Sequence, residues 1–262
     1  MQGIRKPAYV ALLLFGLLPL VQAVAQAPVR LSPIRQIRKG VDEWPLIANP
    51  SNDAERRINK HLGDLNAGLS HTLKECHSNY VELMRKQKLP TDENGEGVEF
   101  WRQHTKVTML GPALLSLVAT TDFYCGGAHP YGFTSAAVFD LRTGEPADVR
   151  AWFLSSLKSS FDEDGKEDSA MEKSISVEGL VAAYQEATHH QCEDVYSDQQ
   201  AFLIWPDAKS GKVMIQADRL PGCCDACGIE IGLAPEQARK LGFSETFLQA
   251  IRDAHKKLSP VK

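Results

Sequence analysis

Residues 114–141 read LLSLVATTDFYCGGAHPYGFTSAAVFDL, and this stretch is the strongest indication of the fold in the sequence. Two mostly apolar runs, 113–124 and 132–141, have the length and composition of buried β-strands. The residues between them include a cysteine, two glycines and a proline, and glycine allows backbone conformations that other residues avoid. The stretch therefore predicts two antiparallel strands joined by a short loop.

Further strands are predicted on both sides of this pair. HTKVTML at 104–110 indicates a strand before it. RTGE at 142–145 indicates a tight turn after it, in which Gly144 supplies a positive φ. AFLIWPDAKSGKVMIQADRLP at 201–221 predicts two strands joined by a turn, and GIEIGL at 228–233 is another strand candidate.

A long helix precedes these strands. Apolar residues recur at spacings of three and four over roughly 53–87, which is the period of an amphipathic helix. Asn52 and Glu55 have the spacing of a capping box at its start. The predicted buried stripe consists of Ile58, Leu62, Leu65, Leu69, Leu73, Cys76, Tyr80 and Leu83.

Shorter helices are predicted between the strands and after them. Asp148 can cap a short helix that carries Trp152, and a second helix ends near His189. Pro235 begins a third, and Ser244 caps the last one.

The order of these elements predicts the fold class. The strands come in hairpin-like groups, which favours an α+β fold with a mainly antiparallel sheet packed against a long N-terminal helix and shorter helices. Residues 26–50 contain four prolines and no hydrophobic period, so they are predicted to be an extended lead-in. Residues 51–262 are predicted to form a single domain.

Residues 1–25 have the pattern of a secretory signal peptide. A positively charged start is followed by an apolar run from 8 to 21 and a small-residue cleavage site at 23–25. We therefore expect an exported, periplasmic protein with no membrane span after cleavage. Loss of Arg5 and Lys6 moves the formal net charge from −4 to −6, which argues against nucleic acid as a partner.

The cysteines fit an oxidising compartment. Their number is even, which predicts disulfides among Cys76, Cys125, Cys192, Cys223, Cys224 and Cys227. Cys76 lies on the buried helix stripe and Cys125 at a strand end, so we expect these two to pair. We expect Cys192 to join Cys223 or Cys224, and the other of those two to join Cys227.

The C-terminal cysteines also allow a metal site as an alternative. Tetrahedral zinc could be bound by Cys192, Cys223, Cys224, Cys227 and His189 or His190. Export favours disulfides instead, so neither a metal nor a cofactor is predicted. DEDGKED at 162–168 resembles part of a calcium-binding loop but lacks its last glutamate, so we expect a solvated acidic loop.

The residues around the loop resemble a known family. The stretch 114–153 is similar to the signature of the RsiV/PdaC-like extracytoplasmic domain of unknown function, which has Tyr-x-Gly-Gly-Ala-His, then Phe-Asp-Leu-x-Thr-Gly, then a short helix. The matching residues are Tyr124, Gly126, Gly127, Ala128, His129, Phe139, Asp140, Leu141, Thr143, Gly144, Trp152 and Phe153. The resemblance implies an α+β domain outside the cytoplasm, here a disulfide-bearing proteobacterial variant.

Members of that family include the lysozyme-binding sensor part of an anti-sigma factor and accessory domains ahead of cell-wall polysaccharide deacetylases. The sequence shows neither the sigma-binding segment nor the deacetylase domain, so we expect neither activity to carry over. The resemblance implies a scaffold that binds an envelope-associated partner, either a lysozyme-like hydrolase or a cell-wall glycan.

We therefore expect a non-enzymatic binding protein of the cell envelope, with no catalytic residue assigned. Its predicted contact surface is the loop and its flanks, namely Tyr124, Gly126, Gly127, His129, Tyr131 and Phe133. Exposed aromatic side chains are the usual anchors of such surfaces, and His129 is expected to hold the loop by a hydrogen bond. The alternative is an enzyme acting on peptidoglycan or another glycan, which would need a cleft with two carboxylates ~5–10 Å apart.

Overall fold

The structure is a computed structural model that describes residues 28–88, 101–126, 129–154, 179–196, 200–218, 220 and 224–258. The predictions for the signal peptide, the acidic stretch 162–168, Gly127 and Cys223 lie outside the described residues. Within the described ranges, no helix combines the length and apolar character needed to cross a membrane.

The first sheet contains the strand pair that the sequence predicted. Its strands are β1 (Gln36–Arg38), β2 (Val41–Asp42), β3 (Trp101–Leu110), β4 (Leu114–Phe123) and β5 (Tyr131–Asp140), and they lie in that order across the sheet. All neighbours are antiparallel except β2 and β3, which are parallel. The last pair before the loop is Phe123 opposite Tyr131, so the loop joins two long strands in continuous register.

The second sheet is smaller and antiparallel. Its strands are β6 (Phe202–Asp207), β7 (Lys212–Ala217) and β8 (Ile231–Leu233), in that order. The turn between β6 and β7 contains Gly211 with a φ of 71°, which explains why a glycine is needed there.

Four α-helices complete the described part of the chain: α1 (Asp53–Gln87), α2 (Leu180–Ala187), α3 (Pro235–Lys240) and α4 (Glu245–Leu258). Asp148 caps a single 3₁₀ turn, Val149–Trp152, where a short helix was predicted. Two mainly antiparallel sheets packed with a long N-terminal helix confirm the α+β prediction.

Helix α1 begins at the capping residues that the sequence indicated. The Asn52 Oδ1 atom accepts from the Glu55 N–H at 2.9 Å, and the Glu55 carboxylate accepts from the Ser51 N–H at 2.6 Å. These bonds satisfy N–H groups that have no partner inside a helix. The buried face follows the predicted stripe and includes Ile58, Leu62, Leu69, Leu73, Cys76 and Tyr80.

The first sheet is the middle layer. On strand β4, Leu115, Leu117 and Ala119 pack with the start of α1, because successive residues of a strand point to opposite faces. Leu114 and Val118 point the other way and pack against the second sheet and α4. Both faces of β4 are therefore covered over much of its length, which explains why its sequence is a nearly continuous apolar run.

The lead-in is extended, and two asparagines of α1 hold it in place. The Asn66 side chain accepts from the Trp44 N–H at 2.8 Å and donates to the Trp44 carbonyl at 3.0 Å. Asn59 does the same to Ile47, at 2.7 Å and 2.9 Å. Each amide thus pairs with a backbone unit as a neighbouring strand would, and the Trp44 and Ile47 side chains are buried in the core. The lead-in is therefore part of the packed fold.

The turn after β5 docks on the start of α1. Gly144 has a φ of 79°, and a Cβ atom at this position would collide with the backbone of Ala54. Arg57 on α1 donates to the Thr143 carbonyl at 2.8 Å and pairs with Glu145 at 3.3 Å. The Phe-Asp-Leu-x-Thr-Gly residues thus have a structural role, which is to fix β5 against the helix.

Candidate interaction site

The β4–β5 loop is tied to α1 by a disulfide between Cys76 and Cys125, with a Cα–Cα distance of 4.5 Å. This is the pair that the sequence predicted. Gly126 follows with a φ of 95° and lies against Leu83, so the loop leaves the disulfide in a conformation that favours glycine. The helix and the disulfide together fix where the loop begins.

Four aromatic residues at this end of the sheet form one cluster, here called the aromatic patch: Trp101, Phe123, Tyr131 and Phe133. Phe123 lies opposite both Trp101 on β3 and Tyr131 on β5, and Phe133 is two residues further along β5. All four therefore lie on the face of the sheet that α1 covers.

The rings of the aromatic patch contact one another directly. The ring centroid of Phe123 lies 5.0 Å from Trp101, 5.7 Å from Tyr131 and 5.8 Å from Phe133. The Phe133 ring also meets Trp101 edge-on at 6.5 Å. These distances are those of favourable aromatic pairs, so each ring restricts the rotamers of its neighbours.

Exposure differs sharply across the aromatic patch. Trp101 is buried against Tyr80 and Cys76 under α1, whereas Phe133 remains 41% exposed. Phe123 and Tyr131 are half-buried. The patch thus runs from a fixed, buried base to an exposed ring on the outermost described strand of the first sheet.

The other predicted contact residues lie beside the patch. Tyr124 packs edge-on against Tyr80 at 6.2 Å. The His129 Nδ1 atom is 2.8 Å from the Pro130 carbonyl, and its ring lies 4.3 Å from that of Tyr131. His129 thus contacts its neighbour Pro130 and the Tyr131 ring, and its role in holding the loop stays a prediction.

The second disulfide corrects the predicted cysteine pairing. Cys192 joins Cys227, with a Cα–Cα distance of 5.8 Å, whereas we had expected Cys192 to join Cys223 or Cys224. The Tyr196 hydroxyl donates to the Cys227 carbonyl at 2.7 Å, and the Tyr184 hydroxyl donates to the Ile229 carbonyl. These bonds hold the backbone at 227–229 against α2, the helix that Cys192 follows.

The same disulfide bears on the zinc alternative. Cys192 and Cys227 are joined to each other, so neither is the thiolate that a zinc ligand must be. Among the described residues, no three histidine, cysteine or acidic side chains are arranged to hold a metal ion.

A polar cavity of 270 Å³, here called the Asp42 pocket, opens at the same end of the first sheet. It is lined by Gln36, Gly40, Asp42, Arg102, Gln103, His104, Thr120 and Asp122. Sequence reasoning did not find it. The available signal was the alternation of Arg102, His104 and Lys106 along a strand, which marks one polar face.

The Asp42 carboxylate has three hydrogen-bond partners in this pocket. It accepts from Gln36 at 3.1 Å and from the Thr105 N–H at 3.1 Å, and it lies 3.0 Å from the His104 Nδ1 atom. Burial by itself would raise the pKa of Asp42, but these hydrogen bonds together lower it below its usual range. The Asp42 side chain is therefore ionised at neutral pH.

A second cavity, of 360 Å³, lies between the turn after β5 and the start of α4. The Arg142 guanidinium pairs with Asp140 at 2.6 Å, and this hydrogen bond lowers the pKa of Asp140. Asp148 accepts from the Arg150 N–H at 3.0 Å. The carboxylates of this cavity are thus engaged in local structure.

Comparisons with known proteins found likeness in structure and none in sequence. No protein-family model matches the chain, and no curated protein matches it. Among solved structures, the chain is similar to a member of the DUF3298 family from Bacteroides fragilis, with a TM-score of 0.46 and 13% sequence identity, over 86% of this chain and 95% of that one. Function is therefore inferred from the site itself.

Proposed function

We propose that this chain is a periplasmic binding protein of the RsiV/PdaC-like type, and that it recognises a lysozyme-like peptidoglycan hydrolase through the aromatic patch. The observation that carries the proposal is the exposed Phe133 ring on a base fixed by Trp101, Phe123 and the Cys76–Cys125 disulfide. The two disulfides are typical of a chain that works outside the cytoplasm.

The arrangement of the patch suits a protein interface. Aromatic residues dominate interface energies because they bury a large area for the loss of few rotatable bonds. Here the ring contacts have already restricted those rotamers, so little conformational entropy remains to be lost on binding. A partner that covers Phe133 and Tyr131 would remove exposed apolar surface from water.

The carboxylates favour binding over acid catalysis. A glycoside hydrolase needs one carboxyl group whose pKa is raised, so that it can donate a proton at neutral pH. Hydrogen bonds lower the pKa of Asp42 in one cavity and of Asp140 in the other. Both groups are ionised and already hydrogen-bonded within the fold, so neither has the raised pKa that a general acid needs.

Net charge supports a basic partner. Without the signal peptide the chain carries a formal charge of −6, so it attracts cationic proteins at long range and repels anionic ones. This attraction raises the association rate more than it sets the final affinity.

The test is a binding measurement between the exported chain and a c-type lysozyme by isothermal titration calorimetry. We expect a dissociation constant below ~10 µM, which corresponds to about 7 kcal/mol of binding free energy. Phe133→Ser should weaken binding at least tenfold, because a central aromatic anchor contributes more than ~1.4 kcal/mol.

The matched control is Leu258→Ser, which removes an exposed apolar side chain, 63% exposed, from the last turn of α4. It should leave binding unchanged. No binding by the wild-type chain at about 50 µM, or equal loss in both variants, would contradict the proposal. Binding to peptidoglycan fragments in place of lysozyme would instead identify a glycan ligand.

A further inference from the structure

The Cys192–Cys227 disulfide joins one buried cysteine to one accessible cysteine. Cys227 is 7% exposed, whereas Cys192 is half-buried and lies between exposed Gln191 and Glu193. In thiol–disulfide exchange, a thiolate attacks one sulfur in line with the S–S bond, from the side opposite the sulfur that leaves. A thiolate in solution can therefore reach Cys192, whereas attack on Cys227 would have to come from the core side.

The Cys76–Cys125 disulfide is better covered. Cys76 lies within α1 and is 2% exposed. Cys125 and its two chain neighbours are half-buried, and Gly126 packs against Leu83. Access is one of the factors that set the rate of thiol–disulfide exchange, so we expect reduction to be faster at Cys192.

The backbone that carries Cys192 has an uncommon conformation. Among the described residues, five residues other than glycine have a positive φ, and three of them are His189, His190 and Cys192, at 54°, 58° and 61°. This left-handed region costs energy for any residue with a Cβ atom. The described backbone therefore concentrates its strain in the segment 189–192.

The end of α2 accounts for only one of these three residues. Helices commonly end on one left-handed residue, and His189 has that place, because the His190 N–H bonds back to the Gln185 carbonyl at 2.8 Å. His190 and Cys192 lie beyond this cap. Their conformation takes the chain from the end of α2 to the Cys227 sulfur.

The Cys227 end of the bridge is held by other bonds as well. The Tyr196 hydroxyl donates to the Cys227 carbonyl at 2.7 Å, and the Tyr184 hydroxyl donates to the Ile229 carbonyl. Both tyrosines are buried. Breaking the S–S bond would therefore free the segment around Cys192 and leave the backbone at 227–229 in place.

We propose that Cys192–Cys227 is a redox-sensitive disulfide, in which a dithiol reductant opens the bond at Cys192 and releases the left-handed segment 189–192. A thiolate of the reductant forms a mixed disulfide with the Cys192 sulfur, and Cys227 leaves as a thiolate that takes up a proton. The second thiol of the reductant then attacks the reductant's own sulfur in the mixed disulfide, and Cys192 leaves as a thiolate. Two electrons pass to the protein, and the reductant becomes a disulfide.

This inference goes beyond the proposed function and does not rest on it. The aromatic patch adjoins the Cys76–Cys125 disulfide, which stays closed. We therefore expect the patch to bind its partner equally well before and after Cys192–Cys227 opens.

The first experiment measures which disulfide opens first. Reactive thiols of the folded, exported chain are blocked with N-ethylmaleimide before dithiothreitol is added at neutral pH. Thiols that then appear are trapped with iodoacetamide at successive times and located by mass spectrometry. Cys192 and Cys227 should be labelled about tenfold faster than Cys76 and Cys125. Equal rates, or faster labelling of Cys76 and Cys125, would overturn the proposal.

The second experiment tests the coupling between the bond and the left-handed backbone. Glycine adopts a positive φ without strain, so His190→Gly should favour the closed disulfide and lower the equilibrium constant for its reduction by dithiothreitol about threefold. Lys88→Gly is the matched control, because Lys88 has a φ of 53° at the end of α1, remote in sequence from Cys192. It should leave that constant unchanged. No change in His190→Gly, or an equal change in both variants, would contradict the release of a strained segment and overturn the proposal.

Discussion

Two regions of this protein combine a disulfide with clustered aromatic rings, and they use them differently. Around Cys192–Cys227, the Tyr184 ring meets Tyr196 at 5.3 Å and Phe202 at 5.2 Å, and all three rings are buried. Around Cys76–Cys125, the rings run from buried Trp101 to exposed Phe133. Aromatic clusters beside disulfides are therefore no sign of function by themselves; exposure distinguishes a core from a binding surface.

The polar atoms of the two regions show the same contrast. The Tyr184 hydroxyl donates to the Ile229 carbonyl, and the Tyr196 hydroxyl donates to the Cys227 carbonyl at 2.7 Å. Every hydroxyl in that core has a protein partner, as buried hydroxyls require. At the aromatic patch, His129 bonds only its neighbour Pro130 among the described residues, which leaves the ring beside Tyr131 accessible.

The largest expected effect separates these regions by stability. Tyr184→Ala should lower the free energy of unfolding by ~3–5 kcal/mol, because it leaves a cavity and removes the buried hydrogen bond to the Ile229 carbonyl. Phe133→Ala should cost less than ~1 kcal/mol, because the ring is already partly in water. Urea unfolding of both variants measures the difference; similar losses would mean that Phe133 belongs to the core.

The two disulfides should contribute similarly to stability and differently to the patch. Cys76→Ala with Cys125→Ala, and separately Cys192→Ala with Cys227→Ala, should each cost ~2–4 kcal/mol, since the bridges span 49 and 35 residues of sequence. Only the first pair of substitutions should speed hydrogen exchange around Tyr124 and Tyr131. Equal exchange there in both variants would show that the Cys76–Cys125 disulfide does not hold the loop.

Two glycines with positive φ should respond unequally. Gly144→Ala should cost ~2–3 kcal/mol, because strained backbone is combined with a collision at Ala54. Gly126→Ala should cost ~1 kcal/mol, because the nearest atom to its Cβ would be in the Leu83 side chain, at 3.4 Å, and the Asn79 carbonyl lies at 3.8 Å, so both are ordinary contacts. Thermal unfolding measures the loss of stability in both variants. A larger loss in Gly126→Ala would mean that the β4–β5 loop is packed more tightly than the turn that contacts Ala54.

The smallest expected effects are opposite pH dependences. The pKa of Asp42 is lowered in the folded chain, so its contribution to stability is complete above its unfolded pKa of about 3.9 and is lost as the pH falls below it. Burial raises the pKa of Tyr184, so stability should fall as the pH rises above about 10. Unfolding free energies measured across pH should show a smaller acid step in Asp42→Asn and a smaller alkaline step in Tyr184→Phe, with the other step unchanged in each. Asp140, whose pKa is also lowered, and Tyr196, whose pKa is also raised, contribute to the steps that remain.

Local patterns predicted much of the fold. The stripe on α1, its Asn52 cap and its bounds follow from side-chain period and capping chemistry, which act within a few residues. The strand pair on either side of the loop was predicted for the same reason. The Cys76–Cys125 pair could be predicted because each cysteine lies on an element whose buried face was readable.

The sites needed contacts that no local pattern contains. Cys192 pairs with Cys227 where Tyr184 and Tyr196 bond to the carbonyls of Ile229 and Cys227, which are remote from them in sequence. The Asp42 pocket was missed because its lining comes from β3, β4 and the two lead-in strands β1 and β2, and the buried carboxylate of one strand orients the histidine of another.

The α+β class, the long amphipathic helix, the antiparallel strand pair and the Cys76–Cys125 disulfide could all be predicted from the sequence, because hydrophobic period, capping and turn chemistry act locally. The burial of Trp101, the exposure of Phe133 and the contact between Asp42 and His104 could be read only from the three-dimensional structure. Exposure and hydrogen-bond partners depend on which elements α1 and the lead-in cover, and that is settled by packing across the whole chain.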